Sequence, residues 1–413
     1  MSKTAVVIGG GIVGLCSALA LQDRGFRVTV IEADREGRAA SWGNAGHVAI
    51  EQVEPLASWS MIRSAPRRLF SAGGALALPI RDAPRWLPFA KGMVRAAGRF
   101  EAGRAALDSL LARTMPAWRG LVAMLGESAL LKETGHFVLW ESEASAAAGL
   151  KAWGSADIGT ARFRPIDEDE RAQFETLLAR RPAGGIRFEN TGQVADLSKL
   201  ADTLSQALQA ARGEIRHARV SALTIEDGSA RAILEGDERL DADVMVVAAG
   251  ARSGELMRSI GTHAPIIAER GYHLHAPSAD WPELPPVVFE DRSMIVTRFD
   301  NGLRAASFVE LGDIDSPPDP RKWKRLRAHI DALGLPIGSD AVKWMGARPT
   351  LPDYLPAIGR SERASNLIYA FGHQHLGLTL APITAQIIGA LATNTAAPVA
   401  LAPYDIERFA KGR

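Results

Sequence analysis

A glycine-rich turn between an apolar strand and an apolar helix constrains the fold more than any other feature of the chain. The run at 5–8 predicts a buried parallel strand, and apolar positions at helical spacing begin at Leu15. Gly9, Gly11 and Gly14 lie between them at G-x-G-x-x-G spacing. Such glycines allow a sharp bend, the approach of a pyrophosphate to the backbone, and close packing of helix against strand. The turn therefore predicts a dinucleotide-binding βαβ unit rather than an ordinary strand-to-helix connection.

An acidic residue ends the second predicted strand of this unit. The strand spans 27–32 and closes with Glu32, at the position where the pattern places the residue that accepts hydrogen bonds from the ribose hydroxyls. An acid there favours a free 2′-hydroxyl, as in FAD or NAD, over a 2′-phosphate.

Length and charge bound the remaining possibilities. A chain of 413 residues predicts two or three domains, and a net charge of +1 gives no reason to expect a nucleic-acid partner. The single cysteine, Cys16, excludes an internal disulfide and fits a reducing compartment. The N-terminus imitates a signal peptide, but the strand–turn–helix pattern explains it better. No uninterrupted apolar window of about 18 residues predicts a spanning helix. We therefore expect a soluble, cytoplasmic protein.

The segment 55–105 differs from the rest of the chain because it is basic, apolar and rich in proline. Between positions 61 and 100 it carries eight Arg or Lys residues against one acid, Asp82. Aromatic and aliphatic residues lie between these charges. Such a segment is either a solvated basic face or a peripheral contact with an anionic membrane surface, at the inner face of the membrane.

The remaining patterns predict an α/β fold with two domains. Helices and strands alternate up to a buried strand that ends at Gly250, which resumes the nucleotide-binding pattern, and antiparallel strands follow between 268 and 311. Local signals predict Asp196 as the N-cap of a helix that runs to residue 211, a hairpin turn at 300–302, and helices over 320–333 and 383–391. We predict a discontinuous Rossmann-like domain with a parallel sheet and a smaller α+β substrate or cap domain containing an antiparallel sheet. The predicted segments are 1–54, 191–264 and 345–413 for the nucleotide-binding domain, and 55–190 and 265–344 for the cap.

Four stretches, in the expected order, resemble the D-amino-acid oxidase superfamily of FAD-dependent oxidoreductases. They are 6–14 with Glu32, 41–47, 246–250, and 346–353 with 372–382. The resemblance covers nearly the full length and is closest to the bacterial D-amino-acid dehydrogenases, followed by the glycine and sarcosine oxidases. Together these stretches are specific to the superfamily, although not to one substrate.

The resemblance implies an FAD-binding domain and assigns residues to the cofactor. The glycine turn would meet the pyrophosphate, Glu32 the adenosine ribose, and Val220 the adenine. The loop 41–47 would border the isoalloxazine, and the segment that starts at Gly377 would reach its pyrimidine edge. The cofactor-binding set implied in this way is Gly9, Gly11, Gly14, Glu32, Ser41, Asn44, Ala45, Gly46, His47, Val220, Gly250, Gly346, Gly377, Leu378 and Thr379.

The resemblance also implies a set of catalytic residues. Arg348 matches the arginine that pairs with the substrate carboxylate, for which a planar guanidinium is suited; the alternative is a surface ion pair. Tyr272 matches a strand position that faces the flavin, although a buried structural tyrosine is an alternative. His47 and His373 are the histidines that we expect to touch substrate or flavin. No metal site is expected, because no cysteine or acidic partner completes a ligand set around the histidines.

Two departures from the family pattern affect the site. Relatives with covalently bound flavin use a cysteine, or a histidine that follows the tryptophan of the early loop, whereas here Gly43 follows Trp42. We therefore expect non-covalent FAD. Tyr354 stands where close relatives usually have glycine, and it could narrow the substrate pocket.

The expected activity is the FAD-dependent oxidation of a D-amino acid to an imine and then a 2-oxo acid, by hydride transfer from the α-carbon to flavin N5. The electrons would pass to a quinone or to oxygen. The alternatives are a D-proline or D-hydroxyproline dehydrogenase, a glycine- or sarcosine-type secondary amine oxidase, a flavin-binding protein without turnover, and an NAD-dependent dehydrogenase.

Overall fold

A computed structural model describes residues 3–34, 39–277 and 280–410. The strands are β1 Thr4–Ile8, β2 Arg27–Glu32, β3 His47–Val48, β4 Leu76–Ala77, β5 Leu131–Lys132, β6 His136–Trp140, β7 Phe163–Pro165, β8 Gly184–Phe188, β9 Gly192–Val194, β10 Glu214–His217, β11 Val220–Glu226, β12 Ser229–Leu234, β13 Arg239–Leu240, β14 Val244–Val247, β15 Ile267–Ala276, β16 Val287–Phe289, β17 Met294–Phe299, β18 Gly302–Gly312, β19 Val342–Thr350, β20 Ala357–Arg360 and β21 Leu367–Phe371. The α-helices are α1 Ile12–Asp23, α2 Trp59–Arg68, α3 Ala83–Ala97, α4 Phe100–Leu111, α5 Thr114–Met124, α6 Glu143–Ser155, α7 Glu168–Leu177, α8 Leu197–Ala210, α9 Ser253–Ser259, α10 Pro320–Leu333 and α11 Gly377–Thr393.

The predicted βαβ unit lies at the centre of a six-stranded sheet. The strand order is β10-β2-β1-β14-β21-β20, and every neighbouring pair is parallel except β20 with β21. The apolar run of β1 is buried on both faces, as the sequence predicts for a parallel strand: Ala5 and Val7 lie in the core with α1 and α11, and Val6 and Ile8 lie in the core with β11, β12 and α9. The carboxyl ends of β1 and β14 meet at one edge of the sheet, which is where nucleotide sites form in such folds.

A nine-stranded mixed sheet forms the second large layer. Its main path is β19-β15-β18-β17-β16-β6-β8-β7, with β4 added along β18. Most pairs are antiparallel, and the hairpin between β17 and β18 turns at the predicted residues 300–302. Helix α10 packs against β15 and β18 and has the predicted bounds, with Asp319 as its N-cap. The fold is therefore the predicted α/β fold with a parallel and an antiparallel layer.

The structure places two segments differently from the predicted domain boundaries. The boundary at residue 345 falls inside β19, which pairs with β15 along its whole length. Helices α4 and α5, predicted to be part of the cap, contribute Leu107, Leu110 and Trp118 to the hydrophobic core around α1 and α11. Local periodicity shows that these segments are helical, but it does not show which sheet they cover.

The last long helix begins earlier than the sequence pattern indicated. The predicted helix started at Ile383, whereas α11 starts at Gly377 and continues through Pro382. By length and composition, the stretch Gln374–Thr393 could cross a membrane, contrary to the sequence-based expectation for this chain. Within the described structure 78% of its apolar window is buried, as in a core helix.

A buried ionic cluster fixes β15 against α10. Glu310 of β18 accepts hydrogen bonds from Arg270 of β15 and forms an ion pair with Lys322 of α10. Lys322 also contacts Asp319 at 2.9 Å, and the Tyr272 hydroxyl lies 3.3 Å from Glu310. Because these charges are withdrawn from water, the loss of one of them leaves its partners uncompensated.

We expect Glu310→Gln to destabilise the protein by about 3–5 kcal/mol, because it leaves the buried Arg270 without its ion-pair partner and Lys322 with Asp319 alone. The measurement is the thermal unfolding midpoint at matched FAD loading. Glu255→Gln is the control, since Glu255 makes only an exposed 3.5 Å pair with Arg252 and its loss should cost about 0.5 kcal/mol or less. Equal effects of the two variants would contradict the assignment.

Candidate active site

A cavity of about 1620 Å³ lies at the carboxyl edge of the parallel sheet and extends beneath the nine-stranded sheet. Most of the predicted site residues line it: Gly9, Gly11, Glu32, Ser41, Asn44, Ala45, His47, Val220, Gly250, Tyr272, Gly346, Arg348, His373, Gly377 and Leu378. Gly14, Gly46 and Thr379 are not part of the lining. The structure therefore brings together residues from both ends of the chain and from both sheets.

One end of the cavity has the features of a dinucleotide phosphate site. Helix α1 begins after Gly11 and has no side-chain cap apart from the Ser41 hydroxyl, which accepts from the Ile12 amide at 3.1 Å. Amides at this helix N-terminus therefore face the cavity, where they stabilise negative charge. Glu32 accepts hydrogen bonds from the amides of Gly10 and Asp34 at 2.5 and 2.6 Å, which keeps its carboxylate at the turn.

Gly14 and Gly46 are needed for packing rather than for contact with a ligand. A Cβ atom at Gly14 would lie 1.9 Å from the Gly9 carbonyl oxygen, so a larger residue would push α1 away from β1. Gly46 has a φ of +77°, and a Cβ atom there would meet the Phe299 ring at 2.5 Å. Both glycines hold the segments that line the cavity in place.

The loop 41–47 is held from the opposite sheet by Arg304. This buried guanidinium of β18 donates to the carbonyl oxygens of Trp42 and Asn44. Within the loop, the Asn44 side chain accepts from the Gly46 amide at 2.8 Å. Trp344 of β19 packs against Gly43, where a Cβ atom would lie 2.1 Å from the indole. The sequence did not indicate the roles of Arg304 and Trp344, because both come from distant strands.

The first turn of α11 closes another side of the cavity. Gly377 and Leu378 line it, while the Thr379 hydroxyl accepts a hydrogen bond from the Ala49 amide at 3.0 Å. The Thr379 carbonyl accepts from the Trp118 indole at 3.1 Å. Thr379 therefore joins α11 to the loop that follows β3 instead of lining the cavity.

Arg348 lines the cavity beside a buried carboxylate that the sequence pattern did not indicate. Strands β15 and β19 place Glu269 opposite Arg348, and the Arg348 Nη1 atom lies 3.2 Å from Glu269 Oε1. The same nitrogen donates to the Phe308 carbonyl at 3.3 Å. The guanidinium covers Gly271, where a Cβ atom would lie only 2.4 Å from Arg348 Nη2. Contacts with Glu269, Phe308 and Gly271 thus fix the position of the Arg348 guanidinium, and the residue still lines the cavity.

The second carboxylate oxygen of Glu269 also has hydrogen-bond partners. Thr350 donates to Glu269 Oε2 at 3.1 Å, and the Tyr354 hydroxyl lies 3.5 Å from the same atom. Tyr354 does not line the cavity and packs against Phe89 behind this pair. It supports Glu269 from outside the pocket, so the expected narrowing of the pocket by this side chain does not occur.

The structure places the Tyr272 hydroxyl away from Arg348. Side chains alternate along β15, so Glu269 and Gly271 face the cavity while Arg270 and Tyr272 face α10. The hydroxyl accepts from the Asp319 amide at 3.1 Å and belongs to the buried ionic cluster. Tyr272 is among the residues that line the cavity, but the contacts of its hydroxyl are those of the structural alternative.

The histidines differ in their contacts. His373 is buried with its Nε2 atom 3.0 Å from the Thr384 hydroxyl, and burial lowers its pKa to about 3. His375 lines the cavity without such a partner; burial lowers its pKa to about 4, with Glu269 and Arg348 acting on it in opposite directions. Both rings are neutral at pH 7. Of these two, His375 is therefore the histidine that is nearer to the Arg348–Glu269 pair.

His47 belongs to a second group of charges that the sequence did not reveal. Its Nε2 atom lies 3.1 Å from Glu51, and its ring packs edge-on against His136 at 4.3 Å. Burial alone would raise the pKa of Glu51, but His47 and His136 outweigh this effect and lower it to about 2. The possible ligand atoms of His47, Glu51 and His136 lie within 4.8 Å of one another. The expectation that the histidines have no acidic partner was therefore wrong for His47. The observed contact between His47 and Glu51 is a hydrogen bond.

The chain belongs to the DAO family of FAD-dependent oxidoreductases. The family model described as "FAD dependent oxidoreductase" matches residues 4–391. The protein is accordingly an enzyme that uses FAD, and the glycine turn, Glu32 and the open N-terminus of α1 fit that cofactor. Non-covalent attachment of the FAD stays a prediction; Cys16, the single cysteine of the sequence, is buried in α1.

Relatives and solved structures match over nearly the whole chain. A "D-amino-acid oxidase" of Bradyrhizobium diazoefficiens is 30% identical over 98% of this chain and 99% of its own length. A "D-amino acid dehydrogenase 2" of Pseudomonas aeruginosa is 31% identical over 92% of each chain. The crystal structure of glycine oxidase from Geobacillus kaustophilus superposes with a TM-score of 0.72 at 20% identity, covering 98% of both chains. The last similarity supports the fold.

We expect Tyr272→Phe to leave kcat/KM within about twofold and to cost about 1 kcal/mol of stability, because its hydroxyl bonds only to the buried cluster. Tyr369→Phe is the matched control, since that buried hydroxyl bonds to Asp405 and Ile406 instead. The two variants should have similar values of kcat/KM and similar unfolding midpoints. A tenfold loss of kcat/KM in Tyr272→Phe alone would restore its catalytic role.

Proposed function

We propose that the enzyme oxidises a D-amino acid to the corresponding imine, which is hydrolysed to a 2-oxo acid. The observation that carries this proposal is Arg348, a guanidinium that lines the FAD cavity and is aligned by Glu269 and the Phe308 carbonyl. A planar guanidinium binds a carboxylate through two charge-assisted hydrogen bonds, which orients the α-carbon toward the cofactor. The names of the two relatives agree with this substrate class.

The residues around Arg348 keep the pocket suited to a neutral amine. His373 and His375 are uncharged at pH 7 because burial lowers their pKa values to about 3 and about 4. They therefore add no positive charge that would compete with Arg348. The bound flavin supplies the hydride acceptor, while the protein orients the substrate and excludes water. No side-chain base is assigned.

The first experiment is anaerobic mixing of the yellow holoenzyme with single amines. The panel contains D- and L-amino acids, D-proline, the hydroxyproline isomers, glycine and sarcosine. Bleaching by primary D-amino acids supports the proposal, whereas bleaching only by cyclic or N-alkylated amines would assign the enzyme to secondary amines. A holoenzyme that no amine bleaches would contradict amino-acid oxidation.

We expect Arg348→Met to lower kcat/KM by about 10²–10⁴-fold, because two charge-assisted hydrogen bonds of about 1.5–3 kcal/mol each are lost. Arg348→Lys should retain part of the activity, since lysine keeps the positive charge but lacks the planar guanidinium that forms two parallel hydrogen bonds. The exposed Arg363 serves as the control position, at which Met should have no effect. Full activity of Arg348→Met would exclude this residue from carboxylate binding.

We further propose that the electrons pass to a quinone and that residues 55–105 contact the inner face of the membrane. Helix α2 has no buried residue, and Ile80 and Leu87 are 90% and 55% exposed. Leu87 and Val94 are two turns apart on α3 and lie on the same side of it as Lys91. A partly apolar, basic surface of this kind favours binding to an anionic membrane surface.

We expect the holoenzyme to bind vesicles that contain anionic lipid and to release them as salt is raised. The double variant Ile80→Ser, Leu87→Ser should bind about tenfold more weakly, because its side chains no longer remove apolar surface from water. Val342→Ser is the control, because Val342 is 58% exposed but lies outside the segment. Equal sedimentation of all three proteins with the vesicles would contradict the membrane contact, and rapid reoxidation by air would favour oxygen as the acceptor.

A further inference from the structure

Four arginines line the cavity, and three of them have carboxylate partners. Arg219 pairs with Glu235, Arg252 with Asp315, and Arg348 with Glu269. Arg68 is the exception: it forms no ion pair within residues 3–34, 39–277 and 280–410, and its Nη1 atom contacts only the Met61 sulfur, at 2.7 Å. An arginine that lines a pocket without a carboxylate partner is a candidate anion-binding group.

Arg68 enters the same part of the cavity as Arg348. It ends α2, and Ser64 and Met61 also line the cavity, one and two turns earlier on the same helix face. The bridge between Leu69 and Leu76 and the pairing of β4 with β18 anchor the following turn beside Val309. Val309 adjoins Phe308, the residue whose carbonyl accepts from Arg348. The two guanidinium groups therefore approach the substrate region from different elements.

Glu269 does not neutralise Arg68. One of its oxygens is paired with Arg348, and the other accepts from Thr350 and Tyr354. Arg68 is exposed overall, but partial burial of its guanidinium lowers its pKa, and the charges of Tyr354 and Glu269 oppose that change. The guanidinium therefore lies in the field of Glu269 without an ion pair. With the Arg348–Glu269 pair balanced, one uncompensated positive charge remains in this part of the pocket.

Four other acidic side chains of the cavity make contacts away from Arg68. The Glu51 carboxylate lies 3.1 Å from His47 Nε2, and Glu54 accepts from the Asp157 amide at 3.0 Å. Asp157 is paired with Arg104, and Glu290 accepts from the Trp140 indole at 2.9 Å. In the described structure none of these carboxylates contacts Arg68. Among the arginines that line the cavity, Arg68 is therefore the one that a ligand anion would meet without a carboxylate partner in the described structure.

We propose that Arg68 binds a second carboxylate of the substrate, so that the preferred substrates are amines that carry two carboxylates. This inference rests on the proposed function, since the first carboxylate occupies Arg348. The second carboxylate can extend from the α-carbon, as in D-glutamate and D-aspartate, or from the nitrogen, as in iminodiacetate. In both cases its charge balances Arg68, and apolar neighbours such as Leu56 and Phe308 strengthen the interaction by excluding water.

The test compares substrates of equal size that differ in charge. For the wild-type holoenzyme we expect kcat/KM for D-glutamate to exceed that for D-glutamine by about tenfold or more, because a charge-assisted hydrogen bond replaces a neutral one. Arg68→Met should reduce this ratio to near one, and Arg68→Lys should retain part of it. A comparison of iminodiacetate with sarcosine decides whether the second carboxylate extends from nitrogen instead.

Arg67→Met is the matched control, because Arg67 lies on the same helix and is exposed like Arg68 but does not line the cavity. Its ratio of kcat/KM for D-glutamate to that for D-glutamine should equal the wild-type ratio. A wild-type ratio of one or less for both substrate pairs would overturn the proposal. Equal losses with D-glutamate and D-glutamine in Arg68→Met would also overturn it, since Arg68 would then help to hold the first carboxylate.

Binding of inert acids separates this inference from the proposed function. Glutarate and butyrate are titrated into the oxidised holoenzyme, and the change in flavin absorption gives their dissociation constants. We expect glutarate to bind about tenfold more tightly than butyrate, and this preference to disappear in Arg68→Met. If no amine bleaches the flavin but glutarate is preferred through Arg68, amino-acid oxidation fails and the dicarboxylate site stands. Equal binding of the two acids by the wild type overturns the site.

Discussion

The close contact between the first and third glycines of the turn is the constraint on which the rest of the structure depends. A Cβ atom at Gly14 would lie 1.9 Å from the Gly9 carbonyl, and one at Gly9 would lie 2.4 Å from the carbonyl of Ala248. Helix α1 can therefore approach both β1 and the end of β14, and α11 packs in turn against α1. The N-terminus of α1, the loop 41–47 and the first turn of α11 then converge on one cavity.

Strand β15 connects the stability of the cap to the chemistry of the site. One of its faces carries Arg270 and Tyr272 into the buried cluster with Glu310 and α10. The other face presents Glu269 and Gly271 to Arg348. Because the two sets alternate along one strand, the ionic cluster that anchors β15 also determines where Glu269 lies. Arg348 is consequently aligned by a strand that is itself fixed from behind.

Local patterns predicted the regular elements where the signal was local. Asp196 as an N-cap, the hairpin at 300–302 and helix α10 all follow from residues that are neighbours in sequence. The start of α11 was missed because glycines and histidines before Ile383 are typical of a turn, although buried contacts make that segment helical. Strand alternation places Tyr272 on the same face of β15 as Arg270, toward α10, whereas the family resemblance implies a position that faces the flavin.

The sequence by itself determined the cofactor-binding unit and the α/β class, whereas Arg348 as the carboxylate-binding residue came from the family resemblance and stays a prediction. The first two depend on spacing within short segments, where backbone geometry converts a residue pattern directly into a shape. Only the tertiary structure decided that Glu269 aligns Arg348, that Arg304 holds the loop 41–47, and that Arg68 has no carboxylate partner among the described residues. The partners in such contacts come from different strands and helices, so no local sequence pattern predicts them. Charge pairing becomes visible only when the sheets bring those elements together.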